Sequence, residues 1–204
     1  MTIRNLTPFA VLALALAAAS CTSPVKQGTG TSFLIIEGME FSRVGSSGGA
    51  SVQFVGNAES DVETVLDGVA TTFNDLARVE FRLGLKDPGP ASSPSAPTQN
   101  QFITINRYHV RYFRADGRNT QGVDVPYEFD GAFTTTVSDA RPQPVFTYVR
   151  HTAKDEAPLA ALKRNGVIVT MFAEFTFYGQ DQTGHEVIAT ARTSVNFGNF
   201  GDSD

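Results

Sequence analysis

The residues of this 204-residue chain that could do chemistry are three histidines, one cysteine, a serine framed by glycines and a scatter of aspartates. A histidine can move protons or bind a metal near neutral pH. His109, His151 and His185 stand at no metal-ligand spacing to one another, and Cys21 has no second thiol to join it. They read as strand or surface residues, with a meeting of two of them in space left open. Gly45-Ser46-Ser47-Gly48-Gly49 fits the G-x-S-x-G pattern of a nucleophile elbow. That elbow needs a strand before it and a helix after it. Ala50 to Val55 read as a strand, so the segment is expected to be a flexible hairpin loop. Acids gather in loops at Asp116, Asp124, Asp130, Asp181, Asp202 and Asp204. Calcium takes oxygens from such loops, but no D-x-[DN]-x-[DN]-G spacing occurs, and Asp116-Gly117 and Asp130-Gly131 are ordinary turn chemistry. Paired-carboxylate catalysis needs two acids facing one cleft, and no spacing argues for that. No catalytic residue, metal or cofactor is expected.

The thiol differs from these groups in its setting. Phe9 to Ala19 is an apolar run of 11 residues, preceded by Arg4 and the terminal amine and followed by Ser20 and Cys21. A charged start, a short apolar core and a small-residue boundary make a secretory signal peptide. The run is too short to cross a bilayer, which takes about 20 apolar residues. Ala18-Ala19-Ser20-Cys21 resembles the lipobox of bacterial lipoproteins, with Ala18 where leucine is usual. The resemblance implies a diacylglyceryl thioether at Cys21, cleavage before it and acylation of the new amino terminus. Each buried methylene of such chains contributes about 0.8 kcal/mol, so two or three chains hold a protein on a membrane where one does not.

Cleavage would leave about 184 residues and remove Arg4 but no acid, taking the formal charge from −5 to about −6. An acidic body is a poor partner for nucleic acid or for an anionic membrane surface. With Cys21 committed to lipid, no internal disulfide is available, and a chain of this length can bury enough surface without one.

The most distinctive polar segment is 114–127, too long for a tight turn and set between two strand patterns. Loops on a rigid scaffold commonly carry binding. Asp116, Arg118, Asn119, Asp124 and Tyr127 are its candidate binding residues, with Tyr178 and Asp181 at the 179–185 turn. A ligand site there would open an aromatic ring to solvent, with Tyr108, Tyr112, Tyr127 and Tyr178 as candidates. The competing reading is a packed connection: Arg118 or Asn119 bonds to backbone, and Val123, Val125 and Tyr127 tuck beneath.

These residues need strands to position them. From Ala77 to Lys86 every odd residue is apolar and every even one is charged or glycine, the period of a half-buried strand. Residues 167–177 and 186–197 repeat that alternation around the turn-rich 179–184, predicting a long antiparallel hairpin. In 102–114 the parity slips between Ile105 and Tyr108. Either a bulge near Asn106-Arg107 or an edge strand with two amphipathic faces would accommodate the slip. Further strands are expected at 33–41, 50–56, 127–137 and 144–151. The proline-rich loop 87–97 is long enough to cross between sheets. Residues 154–163 carry the one helical signal, with Pro158 in its first turn.

The expected domains are a signal peptide at 1–20, a flexible tether at 21–31 and a β-domain at 32–204. The fold class is all-β: an immunoglobulin-like two-sheet antiparallel β-sandwich of seven to nine strands, with one short helical crossing near 154–163. The cysteine pair and tryptophan of antibody domains are absent, so the 16 phenylalanines must fill the core.

Residues 73–76, 107–110, 114–127, 177–182 and 196–202 resemble a group of uncharacterised exported bacterial lipoproteins, over about Asp61 to Asp202. The resemblance implies export and lipid anchoring and carries over no catalytic residue. The expected role is a non-enzymatic, lipid-anchored envelope protein presenting its sandwich to an envelope protein or a surface polymer. Thr22 after the cysteine suits sorting to an outer membrane in a cell that has one. The alternative is a carbohydrate or small-ligand binding module, with a calcium-dependent one less favoured.

Overall fold

The period-two pattern around Phe81 becomes the central strand of a sheet whose inner face carries Ala77, Val79, Phe81 and Leu83, all buried. The computed structural model describes residues 30–42 and 52–200. The expected signal peptide, Cys21, nearly all of the expected tether, the Gly45–Gly49 segment, Asp202 and Asp204 lie outside the described residues.

In chain order the strands are β1 (Ser32–Ser42), β2 (Phe54–Val55), β3 (Ala58–Asp61), β4 (Thr64–Leu66), β5 (Val69–Thr71) and β6 (Asp75–Leu85). They continue with β7 (Ile103–Phe113), β8 (Phe129–Gly131), β9 (Thr135–Val137), β10 (Val145–Val149), β11 (Val169–Asp181) and β12 (Glu186–Gly198). One sheet has the order β10-β6-β1-β2. The other runs β3-β12-β11-β7-β8, with β9 also on β7, and β4-β5 form a separate hairpin. The chain is all-β in class, and residues 87–97 do cross from one sheet to the other.

Two expectations need correction. The sheets are not wholly antiparallel, because β3 runs parallel to β12, with Val195 opposite Ala58. A hairpin forces opposed directions, but β3 reaches β12 from a distant part of the chain, which leaves a parallel pairing open to it. The strands are also more numerous than seven to nine. Segment 127–137 splits into β8 and β9, and 58–71 holds three short strands that have no apolar alternation to announce them.

In β7 the parity slip is a bulge. Arg107 faces Tyr178 and Ile105 faces Gly179, leaving Asn106 as the extra residue. Ile103 and Ile105 before it, and Tyr108, Val110 and Tyr112 after it, therefore all point inward and are buried. Gly179 stands opposite because a Cβ there would lie 2.5 Å from the Thr104 carbonyl oxygen.

The inner faces of the two sheets meet through aromatic rings. Phe81 meets Phe177 edge-on at 5.0 Å, and Phe146 meets Phe175 and Phe177 at 5.6 and 5.5 Å. Phe41 reaches Phe175 across the sheets at 6.4 Å and meets Tyr148 of its own sheet at 5.1 Å. Each buried ring contributes about 1.5–3 kcal/mol through the water it sheds, and quadrupole geometry favours the edge-on pairs. Phenylalanine thus occupies the centre, as its abundance suggested.

The expected helical crossing is split in two. α1 (His151–Lys154) and a 3-10 turn over Leu159–Arg164 flank Pro158, which precedes the second piece and follows a cis peptide bond. Lys154 is 1% exposed and its Nζ lies 2.8 Å from Asp75 Oδ1 at the start of β6. This buried pair ties the crossing to the sheet.

Candidate functional site

The outward-facing residues of β7, β11 and β12 form a row that side-chain alternation alone dictates once the register is set. Arg107 stacks over the Tyr178 ring at 4.1 Å. Arg111 bonds Glu174 at 3.0 Å, and Arg192 reaches the same carboxylate from the other side at 2.6 Å. Phe113 stacks on Phe172 at 5.4 Å, and Arg192 covers Phe113 at 5.5 Å. Tyr178–Arg107, Glu174–Arg111, Glu174–Arg192 and Phe172–Phe113 are all direct cross-strand partners, the positions at which sheet side chains interact most strongly. Two clefts of about 350 Å³ indent this face. The one at the bulge is mainly polar and is lined by Asn106, Arg107, Tyr178, Gln180 and Ile188. The other is mainly apolar and is lined by Phe113, Phe172, Arg192, Thr193 and Ser194.

His109 sits on the same face, 3.5 Å from Glu128 and 3.4 Å from Asp130, with Arg107 at 3.7 Å from Asp130. This group opens to solvent. His151 caps a different corner, its ring 3.0 Å from Asn74 Oδ1. The three histidines do not meet. Among the described residues, no three His, Cys, Asp or Glu side chains are grouped to hold a metal.

The candidate residues of 114–127 mostly satisfy one another. Asp116 accepts bonds from Arg114 and Arg118 at 2.9 and 2.8 Å. First Arg114 and then Arg118 hold its carboxyl far below the ordinary carboxylate range. Asn119 Oδ1 accepts the Arg114 backbone N–H at 2.7 Å, and Asp124 Oδ2 accepts that of Thr120 at 3.2 Å. The Thr120 carbonyl accepts N–H groups from Val123, Asp124 and Val125. This is the packed connection, anchored by the buried Val125, with one correction: Val123 and Tyr127 do not tuck under. Tyr127 is 52% exposed, its ring lying against Gly122, where a Cβ would come within 2.4 Å of the ring hydroxyl.

Asp181 is buried and holds the turn after β11. Its Oδ1 accepts from Thr183 N, Thr183 Oγ1 and His185 N at 2.9, 2.7 and 2.9 Å. Burial alone would raise its carboxyl, but these bonds outweigh that and lower it below the ordinary value.

The 114–127 loop and the 179–185 turn do not form one site. They leave opposite ends of β7 and β11, since Phe113 pairs with Phe172 while Ile103 pairs with Asp181. Tyr108 and Tyr112 are buried, leaving only Tyr127 and Tyr178 of the four candidate rings able to meet a ligand. Sequence reasoning missed Arg107, Arg111, Phe113, Phe172, Glu174 and Arg192 as a set. Their signal is the outward parity of three strands, which becomes a pattern only in register. The chain matches no protein-family model, and no curated protein is found to be similar to it.

Proposed function

We propose that this chain is an exported, lipid-anchored bacterial envelope protein without enzymatic activity, in which an immunoglobulin-like sandwich is presented to an envelope protein or surface polymer. The observation that carries this reading is the lone Cys21, placed directly behind an apolar run and small residues. The strand order supports the immunoglobulin-like assignment. β1-β6-β10 and β7-β11-β12 correspond to the A-B-E and C-F-G orders of that fold. The helical crossing before the last hairpin agrees with it. Anchoring is tested by detergent phase partitioning of protein from its producing bacterium. Wild type is expected in the detergent phase and Cys21→Ala in the aqueous phase, and an equal distribution of the two would refute the anchor.

A second reading, a carbohydrate-binding face, is favoured by the half-exposed Phe113–Phe172 stack beside Arg192 and two hydroxyl residues. Aromatic faces and adjacent hydrogen-bond donors suit sugar rings. Titration with purified envelope glycans would then give binding that Phe172→Ala abolishes, with little change in thermal midpoint. Binding unaffected by Phe172→Ala would exclude this face.

A further inference from the structure

We propose that β12 is a self-recognition edge, at which two copies of this chain pair antiparallel about Thr190 to join their large sheets. Two backbone bonds fix which groups face the edge. Asp181 N–H donates to His185 O, so odd-numbered residues of this hairpin face β11, whereas Val62 N–H donates to Gly198 O from the opposite side. The β11–β12 register runs without a shift from Val169–Phe197 to Gln180–Glu186. The N–H and C=O of Ile188, Thr190 and Arg192 therefore point away from β11. β3 engages β12 only from Val195 onward, and among the described residues no strand pairs with β12 before that point. Burial follows the same division: inward-facing Val195 and Phe197 are fully buried, while inward-facing Ala189, Ala191 and Thr193 are only half-buried.

An open edge invites pairing, and proteins blunt those they do not use with short strands, bulges, prolines and charges. Among the described residues, the other edges of the two large sheets are short or interrupted. β2 has two residues, and β8 and β9 have three each. β10 is short, shifts register between Thr147 and Val149, and follows Pro142 and Pro144. β1 bulges at the charged Glu37, where its register against β6 shifts between Ile36 and Gly38. From Glu186 to Ser194, β12 contains no proline, glycine or register shift.

The sequence of that edge complements itself. Antiparallel pairing centred on Thr190 sets Thr190 against its own copy, Ile188 against Arg192, and Glu186 against Ser194 on the outer face. Ala189 meets Ala191 on the inner face, so nothing bulky obstructs the approach. Arg192, whose guanidinium also holds Glu174, lies diagonal to Glu186 of the other copy, twice by symmetry, so the pairing sets no like charges against each other. An interface of this kind is isologous and closes at two copies.

The test uses the full chain carrying Cys21→Ser, which can bear no thioether, so its outcome is independent of the anchoring proposal. Sedimentation equilibrium over a concentration series is expected to reach twice the 21.9 kDa chain mass. Thr190→Pro removes a central N–H at a position where an edge strand tolerates proline, and is expected to weaken dimerisation at least about tenfold, or about 1.4 kcal/mol. Thr190→Cys then supplies the only thiol and is expected to cross-link on oxidation, whereas Arg192→Cys, which faces Ile188, does not. If Thr190→Pro fails to fold, the cysteine pair decides. A monomer at every concentration, a dimer indifferent to Thr190→Pro, or equal cross-linking at both positions would overturn the proposal.

Discussion

At the scale of single residues, the buried pair of Lys154 and Asp75 has the most to lose. Burial pushes the Asp75 carboxyl above its ordinary range against the pull of Lys154, so removing the ammonium strands a carboxylate without its counter-ion. Lys154→Ala is expected to cost about 3–5 kcal/mol in urea unfolding, and the double variant Asp75→Leu/Lys154→Met to regain most of that, because a matched apolar pair needs no charge compensation. If the double variant is no more stable than the single one, the pair is not the source of the loss. Asp181 gives a pH-dependent case. Its folded pKa is lowered from the ordinary 3.8, so its contribution is fully present above that value and lost as pH falls through the folded one. Asp181→Asn is expected to be about 1–2 kcal/mol less stable at pH 7. The gap from wild type should narrow below pH 3.8, as read from denaturant midpoints across the acid range. A gap that stays constant with pH would mean that the charge plays no part in holding the turn.

At the scale of elements, the bulge in β7 decides which side chains the core receives. Gly179→Ala places a methyl group against the Thr104 carbonyl and the Ile105 Cα, backbone atoms that cannot turn aside. It is expected to cost about 1–3 kcal/mol by overpacking, whereas Gly38→Ala, which meets open space, stays within about 0.5 kcal/mol. Thermal midpoints of the two variants distinguish them, and equal midpoints would remove the steric role given to Gly179. Much at this level was legible beforehand. The alternation in β6, β11 and β12 and the slip between Ile105 and Tyr108 are local facts of residue order, and each became an element or a bulge. β3 was not legible because Ala-Glu-Ser-Asp has no apolar period, and it is a strand only because the far end of β12 offers it a ladder. The burial of Lys154 was not legible, since its partner lies 79 residues earlier. The outer row from Arg107 to Arg192 needed the register of three strands before its members became neighbours.

For the molecule as a whole, two sheets share an aromatic interior that takes the place of a disulfide, and most side chains capable of chemistry are engaged with one another. The polar 114–127 loop, the most distinctive stretch of sequence, spends its charges internally, while the better-exposed surface lies on the face of β7, β11 and β12. Under the proposed function this face, with the β12 edge that no described strand covers before Val195, would do the presenting, and presentation requires something to hold it in place. In the proposed reading that role falls to Cys21. The most direct measurement is the intact mass of the N-terminal peptide from protein purified out of its producing bacterium. A peptide that begins at Cys21 and carries a diacylglyceryl thioether is the expected result. A leader still attached, or a free thiol at Cys21, would contradict it.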